Sequence, residues 1–222
     1  MLIKEVRFIK GICLMGRKSI ISLNTRNVKA RILCMNVIEY LTSFVPLSVE
    51  ATEYISEKMY RQVLPKNTLL HQADEVCDKV YFIEKGLVRW FYYNEDGKDV
   101  TDSFALENSF VTAFDSFVQR KPSLYSIETL EESIVHSMTY SETEIELETF
   151  PESQKYTNLI LVQIIEQMLE KNAALQFKNA KERYRFMTEK QPQILQRVSL
   201  GHIASYLGIT QETLSRIRAK NI

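Results

Sequence analysis

The segment that most constrains the fold lies near the end of the chain, where residues 200–218 read LGHIASYLGITQETLSRIR. Apolar residues repeat at helical spacing before and after a central glycine: Ile203, Ala204, Leu207, Leu214 and Ile217. Gly208 is the residue type that most readily ends a helix, because it adopts the left-handed backbone conformation without strain. Thr210 can begin the next helix by accepting a backbone hydrogen bond. The segment therefore predicts two short helices joined by a tight turn, the pattern of a DNA-binding helix-turn-helix.

The predicted second helix and its flanks carry polar and basic residues suited to DNA. These candidate DNA-binding residues are Thr210, Gln211, Glu212, Ser215, Arg216, Arg218 and Lys220. The planar guanidinium of Arg216 suits a bidentate contact with O6 and N7 of guanine. Glu212, one turn earlier, either accepts from a cytosine amino group or braces Arg216. Arg218 and Lys220 are better placed for phosphates. An ordinary helical hairpin with a solvated polar face is the alternative interpretation.

Charge is distributed unevenly along a chain whose formal net charge is zero. Residues 1–34 hold eight Lys and Arg against one acidic residue, a balance of +7, whereas residues 35–154 hold nine against 22, a balance of −13. Residues 155–222 hold eleven against five, a balance of +6. The basic C-terminal part suits a polyanionic partner such as double-stranded DNA. DNA would repel the acidic middle, which favours a different role there, such as sensing.

The 222 residues, of which 45% are hydrophobic and 25% charged, have the composition of an ordinary globular protein. No apolar run approaches the roughly 18 residues of a membrane span, so we expect no membrane partner. Cys13, Cys34 and Cys77 are widely spaced and form no CxxC pair. This spacing favours the reducing cytoplasm over a disulfide framework, a zinc site or an iron–sulfur cluster.

The histidines give little support to catalysis or metal binding. His71, His136 and His202 stand in no HxH or HExxH pattern, although a metal site built from His71 and His136 is conceivable. No Gly-x-Ser-x-Gly motif or Gly-rich phosphate loop is present in the sequence. We therefore predict that the protein is not an enzyme and that it uses no metal and no cofactor.

Residues 60–140 have the composition of short β-strands. Stretches rich in β-branched and aromatic residues lie at 80–83, 87–93, 100–104, 110–114, 126–130 and 133–138. Their close spacing predicts an antiparallel barrel or sandwich. A helix is predicted before them over residues 48–60, with Ser48 as its cap. Ser141 and Glu144 form a capping-box pattern that predicts the start of a helix after the strands.

A long helix is predicted after Pro151, over about residues 153–177. One seam along it consists of residues spaced 4, 3, 4 and 3 apart: Leu161, Ile165, Met168, Asn172 and Leu175. This is a coiled-coil spacing with one polar member, so it predicts a homodimer joined through this helix. A helix packed wholly within one domain is the alternative.

These patterns divide the chain into four predicted parts. Residues 1–34 are a basic extension that we expect to be disordered or outside the functional protein. Residues 35–150 form a sensor domain and residues 151–178 a dimerisation helix. Residues 179–222 form the helix-turn-helix domain, preceded in it by a further helix over residues 179–189.

The order of these parts resembles the Crp/Fnr family of bacterial transcription regulators over roughly residues 36–220. Two motifs carry the resemblance, Ala-Lys-Glu-Arg-Tyr at 180–184 and Leu-Gly-Ile-Thr-Gln-Glu-Thr-Leu-Ser-Arg-Ile-Arg at 207–218. The resemblance implies an α+β fold with an antiparallel β-barrel sensor domain of the double-stranded β-helix or jelly-roll type, as in cyclic-nucleotide-binding proteins. It further implies a long dimerisation helix, a C-terminal winged-helix-type helix-turn-helix domain, a near-palindromic operator and RNA polymerase as a candidate partner. The family's Glu-x-x-Ser-Arg recognition pattern matches at Glu212, Ser215 and Arg216.

The sequence departs from the cyclic-nucleotide-binding members of that family in the phosphate cassette. Residues 110–117 lack the family's Gly and Glu, and residues 122–126 lack its Arg, whose charged pairing with phosphate is the physical basis of such a site. We therefore expect a barrel with a degenerate nucleotide pocket that does not bind cyclic AMP tightly, and the effector stays unknown. Arg120 and Lys121 lie nearby and either meet an anion or belong to a solvated loop.

A second functional hypothesis remains open beside DNA-dependent regulation. The chain could be an effector-binding sensor or scaffold whose helix-turn-helix no longer binds DNA. The basic residues Arg216, Arg218 and Lys220 favour DNA binding over this alternative.

Overall fold

Two short helices begin the part of the chain that the computed structural model describes, residues 35–219. These helices are α1, Val37–Thr42, and α2, Val49–Lys58. The Ser48 side chain accepts a hydrogen bond from the Ala51 backbone N–H at 3.2 Å, so the predicted cap of α2 is confirmed. The predictions made for residues 1–34 and for Lys220 lie outside the described residues.

Eight strands follow and form two four-stranded antiparallel sheets. The strands are β1 Tyr60–Leu64, β2 Leu69–His71, β3 Lys79–Lys85, β4 Val88–Tyr93, β5 Asp99–Ala105, β6 Ser109–Val111, β7 Ser126–Thr129 and β8 Ser133–Thr139. One sheet has the order β1-β8-β3-β6 and the other the order β2-β7-β4-β5. This arrangement confirms the expected antiparallel jelly roll.

Glycines at positive φ shape two of the connections between strands. Gly86, between β3 and β4, has φ 120°, and a side chain there would come within 2.8 Å of the Ser133 backbone. Gly97, between β4 and β5, has φ 72° and donates its N–H to the Asn94 carbonyl at 2.9 Å. Both positions favour glycine because residues with a Cβ rarely adopt this conformation.

The space between the two sheets is occupied by the barrel's own side chains. Its buried members are Cys77, Tyr81, Ile83, Val88, Ala105, Val111, Ala113, Phe117, Ile127 and Val135. Trp90 packs against them and donates from its indole N–H to the Thr112 carbonyl at 3.1 Å. The Tyr81 hydroxyl donates to the Leu70 carbonyl at 2.9 Å. These bonds satisfy the polar ends of two aromatic side chains inside the barrel.

Seven further helices complete the described part of the chain. They are α3 Phe114–Gln119, α4 Tyr140–Thr149, α5 Pro151–Phe177, α6 Ala180–Lys190, α7 Ile194–Arg197, α8 Leu200–Tyr206 and α9 Gln211–Ala219. Of the winged-helix-type domain expected at the C-terminus, the helices are present. Residues 180–219 contain no strand that could form the wing. The inner face of α5 packs with α1 and α2 against the barrel, through Tyr156 and Ile160.

Two local predictions are wrong. The strand predicted over residues 110–114 ends at Val111, and α3 begins at Phe114. The capping box before α4 uses Thr139 and Glu142 rather than Ser141 and Glu144. Strand β8 runs directly into α4, so the last strand residue occupies the cap position and moves the box two residues earlier.

Candidate nucleic-acid interface

The C-terminal helix pair, α8 and α9, has the two predicted helices and the predicted turn between them. Gly208 ends α8 with φ 64°, and the Thr210 hydroxyl accepts a hydrogen bond from the Thr213 backbone N–H at 3.2 Å. The residues predicted to form the apolar contact between the helices are all buried: Ile203, Ala204, Leu207, Leu214 and Ile217. The pair is therefore held by an apolar core, and its polar residues are left on the surface.

The predicted DNA-binding residues within the described chain form one exposed surface. Those residues are Thr210, Gln211, Glu212, Ser215, Arg216 and Arg218. Arg216 Nη2 donates to Glu212 Oε1 at 2.5 Å, and the two side chains are 73% and 74% exposed. The bracing contact considered for Glu212 is thus present. Because the pair is exposed, it adds little to stability and leaves both groups able to exchange it for other partners.

The C-terminal helix pair does not stand apart from the barrel, and all described residues belong to one compact unit of the chain. Three barrel residues, Leu87, Phe104 and Leu130, share a buried apolar core with residues of α6 to α9. We call this the shared core. Its C-terminal members are Met187, Ile194, Val198, Ile203, Ala204, Leu207 and Leu214. The Thr101 backbone N–H also donates to Ser205 Oγ at 2.9 Å, which joins β5 to α8.

An ionic cluster lies beside the shared core. Arg197, the last residue of α7, donates to both carboxylate oxygens of Glu107, at 3.0 and 2.6 Å, and to those of Glu131, at 3.2 and 2.5 Å. Burial acts to raise the pKa of Glu107, but the hydrogen bonds from Arg197 and from backbone N–H groups, with the charge of Arg197, together hold that pKa below its ordinary value. Burial likewise disfavours the charged guanidinium, yet the two carboxylates raise the pKa of Arg197. Glu107 and Arg197 therefore both stay ionised near neutral pH.

A second candidate surface runs along the outer side of α5. Among the predicted seam residues, Ile165, Met168 and Leu175 are 54%, 65% and 45% exposed, Asn172 is exposed and Leu161 is half-buried. Two other apolar residues of α5, Val162 and Leu169, are also exposed. An apolar stripe of this length on a long helix is typical of a contact surface.

The stretch that corresponds to the phosphate cassette is occupied by α3, and its basic residue is already engaged. Arg120 donates to the Cys77 carbonyl at 2.7 Å and to Asp78 Oδ1 at 2.8 Å, and it lies over the Tyr140 ring at 4.1 Å. Arg120 is exposed in the loop after α3, as the solvated-loop interpretation expected, but its guanidinium is not left to solvent alone. Its guanidinium instead braces α3 against the start of β3 and α4.

The histidines do not assemble into a site. His71 lies in β2 and His136 in β8, which belong to different sheets. His136 Nε2 lies 2.7 Å from Glu84 Oε2, a carboxylate that Arg61 also contacts. No group of three or more potential metal ligands occurs within residues 35–219.

Two arginines that hold the C-terminal helices in place were missed as site residues by the sequence analysis. Arg197 occurs in no motif, so nothing in the sequence pointed to its contacts. Arg183 is the arginine of the Ala-Lys-Glu-Arg-Tyr motif, and its side chain contacts the ends of two other helices. The motif was a signal for this residue, but it did not reveal the contact.

Comparison with known proteins defines the class to which this architecture belongs. Residues 61–149 match the family model of the cyclic nucleotide-binding domain. The comparison with curated protein sequences gave no match. None of the helices within residues 35–219 has the length and apolar character that a membrane span requires.

Several solved structures share the fold of most of the chain. The regulator CLP of Xanthomonas campestris, described as responsive to c-di-GMP, is 18% identical with a TM-score of 0.63, covering 78% of this chain and 91% of that protein. FixK2 of Bradyrhizobium japonicum is 20% identical with a TM-score of 0.64, covering 73% and 83%. A protein of Eubacterium rectale described as a transcriptional regulator of the Crp/Fnr family is 15% identical with a TM-score of 0.66, covering 81% and 85%. The expected resemblance is confirmed at the level of the fold: residues 61–149 match the cyclic nucleotide-binding domain, and the chain shares the fold of these Crp/Fnr-type regulators.

Proposed function

We propose that the protein is a homodimeric, sequence-specific DNA-binding transcription regulator. The observation that carries the proposal is the exposed polar face of α9, with Arg216 and Glu212 paired upon it and an apolar core beneath. A recognition helix of a helix-turn-helix needs both properties, since it must be held rigidly and must present base-reading groups to the major groove.

Dimerisation would take place through the outer face of α5. The exposed residues Ile165, Met168 and Leu175 would pack against their counterparts, with Asn172 fixing the register at some cost in stability. A two-fold axis between the two α5 helices places one recognition helix in each half of a near-palindromic operator.

The parts of the chain would divide this work. Residues 35–150 would act as the sensor, residues 151–178 as the dimerisation helix and residues 179–222 as the DNA-binding domain. The barrel interior is filled by its own side chains, and Arg120 is engaged elsewhere, which supports a barrel that does not hold cyclic AMP. A small apolar or anionic effector, or none, would control it. The protein would act in the cytoplasm on DNA and RNA polymerase, without catalysing a reaction.

Selection of bound sites from random duplexes tests the proposal. The full chain is incubated with the random pool at low salt, and the bound duplexes are amplified and sequenced. We expect a near-palindromic site to be enriched, with guanine at the position that Arg216 reads. A pool that stays random at low salt would favour the alternative, a sensor or scaffold that does not bind DNA.

A further inference from the structure

The side chain of Arg183 joins the ends of two helices, α5 and α8, that are not consecutive in the chain. Its Nε donates to the Leu207 carbonyl at 3.0 Å, and its Nη1 donates to the Lys178 carbonyl at 2.9 Å. Lys178 is the C-cap of the long helix α5, and Leu207 is the C-cap of α8. One guanidinium on α6 therefore connects the long helix with the turn of the C-terminal helix pair.

Arginine suits this position for a physical reason. The last carbonyls of a helix lack intrahelical partners and carry partial negative charge, so a cation that donates to them is favoured. The guanidinium has several N–H groups fixed in one plane and can serve two carbonyls at once. A lysine ammonium is a point charge on a flexible stem and would not hold two helix ends at a fixed angle.

Apart from an exposed ion pair between Lys190 of α6 and Glu170 of α5, at 2.8 Å, the other contacts around this junction are mostly apolar. The cavity beside Arg183, between α5, α6 and α8, is lined by Lys171 and by apolar and aromatic residues: Ala174, Leu175, Phe186, Met187, Tyr206 and Leu207. Apolar packing is not directional, whereas hydrogen bonds restrict both distance and angle. The two bonds from Arg183 reach both the end of α5 and the turn of the C-terminal helix pair, so they restrict the angle at which that turn meets α5.

We propose that Arg183 is a positioning residue that sets the separation of the two recognition helices and thereby the spacing between operator half-sites. This inference rests on the proposed function, because it takes α5 as the dimer axis and α9 as the recognition helix. It assigns Arg183 no contact with DNA. The shared core and the Arg197 cluster still hold the C-terminal helix pair on the barrel when Arg183 is replaced, so the variants should remain folded.

The test compares binding across operators that differ only in half-site spacing. Wild-type protein first selects its operator, and duplexes are then made with the half-sites moved by one, two or three base pairs in each direction. The full-length variants are Arg183→Gln, Arg183→Lys and, as a matched control, Arg185→Gln. Arg185 is exposed on the same helix, and among the described residues its side chain forms no hydrogen bond or ion pair, so the control loses the same charge without touching a helix end.

We expect wild type and Arg185→Gln to prefer one spacing sharply. Arg183→Gln and Arg183→Lys should lower the preference for that spacing over its neighbours by about fivefold or more, the lower end of the range for coupled sites. Binding to a duplex with a single half-site should be unchanged in all variants, a result that a general loss of structure would not give. Thermal unfolding of each variant checks that the fold is retained.

The outcomes separate this inference from the proposed function. If the wild type prefers one spacing sharply and both Arg183 variants keep that preference, the inference is overturned and the proposed function stands. Equal losses on single half-sites and on all spacings also overturn it, since Arg183 would then act within the recognition unit. A wild type that selects no DNA sequence overturns the proposed function and this inference together.

Discussion

Arg197 and Glu107 form a two-point ion pair, with guanidinium nitrogens 3.0 and 2.6 Å from the two carboxylate oxygens. Glu107 is the more buried member, with a side chain 6% exposed against 20% for Arg197. Glu107 follows β5 of the barrel and Arg197 precedes α8, so the pair joins the acidic middle of the chain to its basic end. Part of the negative charge of the barrel is thus neutralised by a basic residue of the same chain.

We expect Glu107→Gln to lower the free energy of unfolding by about 1–3 kcal/mol, because Gln keeps the shape but loses the charged hydrogen bonds to Arg197. Urea unfolding followed by circular dichroism measures the change. Glu132→Gln is the control, since Glu132 is exposed nearby and its loss should matter little. Equal stability of the two variants would show that the pair does not hold the C-terminal helices on the barrel.

The buried carboxyl of Glu146 predicts a pH dependence of stability, because its pKa is shifted upwards, opposite to the shift of Glu107. Burial raises the pKa of Glu146, although Tyr156 and Ser153 donate hydrogen bonds to it. A group whose pKa is higher in the folded state costs stability as the pH rises from its unfolded pKa through its folded pKa. Glu146→Gln, which cannot ionise, should therefore gain stability relative to wild type as the pH increases from about 4 towards neutrality.

Urea midpoints of wild type and Glu146→Gln across that pH range measure this difference. Glu148→Gln serves as the control, because Glu148 is exposed on the same helix. A difference between wild type and Glu146→Gln that does not change with pH would contradict the prediction.

Arg216→Ala should cost on the order of 1–3 kcal/mol on the selected operator and flatten the preference at one base pair in each half-site, since the residue is expected to read a base edge. Arg218→Ala, also exposed on α9, should weaken binding to all sequences alike and reduce the salt slope by about one. Titrations on cognate and scrambled duplexes at several salt concentrations distinguish the two. If Arg216→Ala loses equally on both duplexes, it does not read a base.

Ile165→Glu combined with Met168→Glu should produce monomers, because two charges would be placed in an apolar interface. Both residues are exposed in the single chain, so the substitutions should leave its fold intact. Sedimentation velocity at micromolar concentration measures the association state, with Gln167→Glu as a control on an exposed polar position of the same helix. If the wild type sediments as a monomer, the hypothesis of dimerisation through these α5 residues is wrong.

Cyclic AMP should not bind with micromolar affinity. Trp90 is the chain's single tryptophan and lies against the barrel core, so its fluorescence reports on the barrel interior. Calorimetry and a Trp90 fluorescence titration should both show no saturable signal. A micromolar dissociation constant by either method would show that the pocket opens despite its missing phosphate ligands.

The sequence allowed prediction of those elements whose signals are local. Gly208 and Thr210 mark the turn between α8 and α9 because a glycine conformation and a side-chain cap depend on a few adjacent residues. The boundary between β8 and α4 was harder to predict, since Thr139 and Ser141 are both acceptable caps and only the length of the strand decides between them. The placement of Arg120 depends on Cys77 and Tyr140, which are distant in sequence and were not indicated by any pattern.

The contact between the C-terminal helices and the barrel could not be predicted for a similar reason. Leu87 and Phe104 read as ordinary strand residues, and no periodicity shows which of the two faces of a strand meets solvent and which meets a distant helix. Arg197 likewise reads as a surface charge until the fold brings Glu107 and Glu131 to it.

The shared core bears on how such a protein can be divided and recombined. Leu87, Phe104 and Leu130 are at most 9% exposed because the C-terminal helices cover them, so a barrel cut free at the end of α5 would present a new apolar patch to water. The C-terminal helices are therefore not a detachable module: replacing them with those of another protein would succeed only if the incoming helices supplied matching apolar residues for these three barrel positions. Substitutions in α9 and substitutions on the covered face of the barrel are therefore coupled, because both change the shared core.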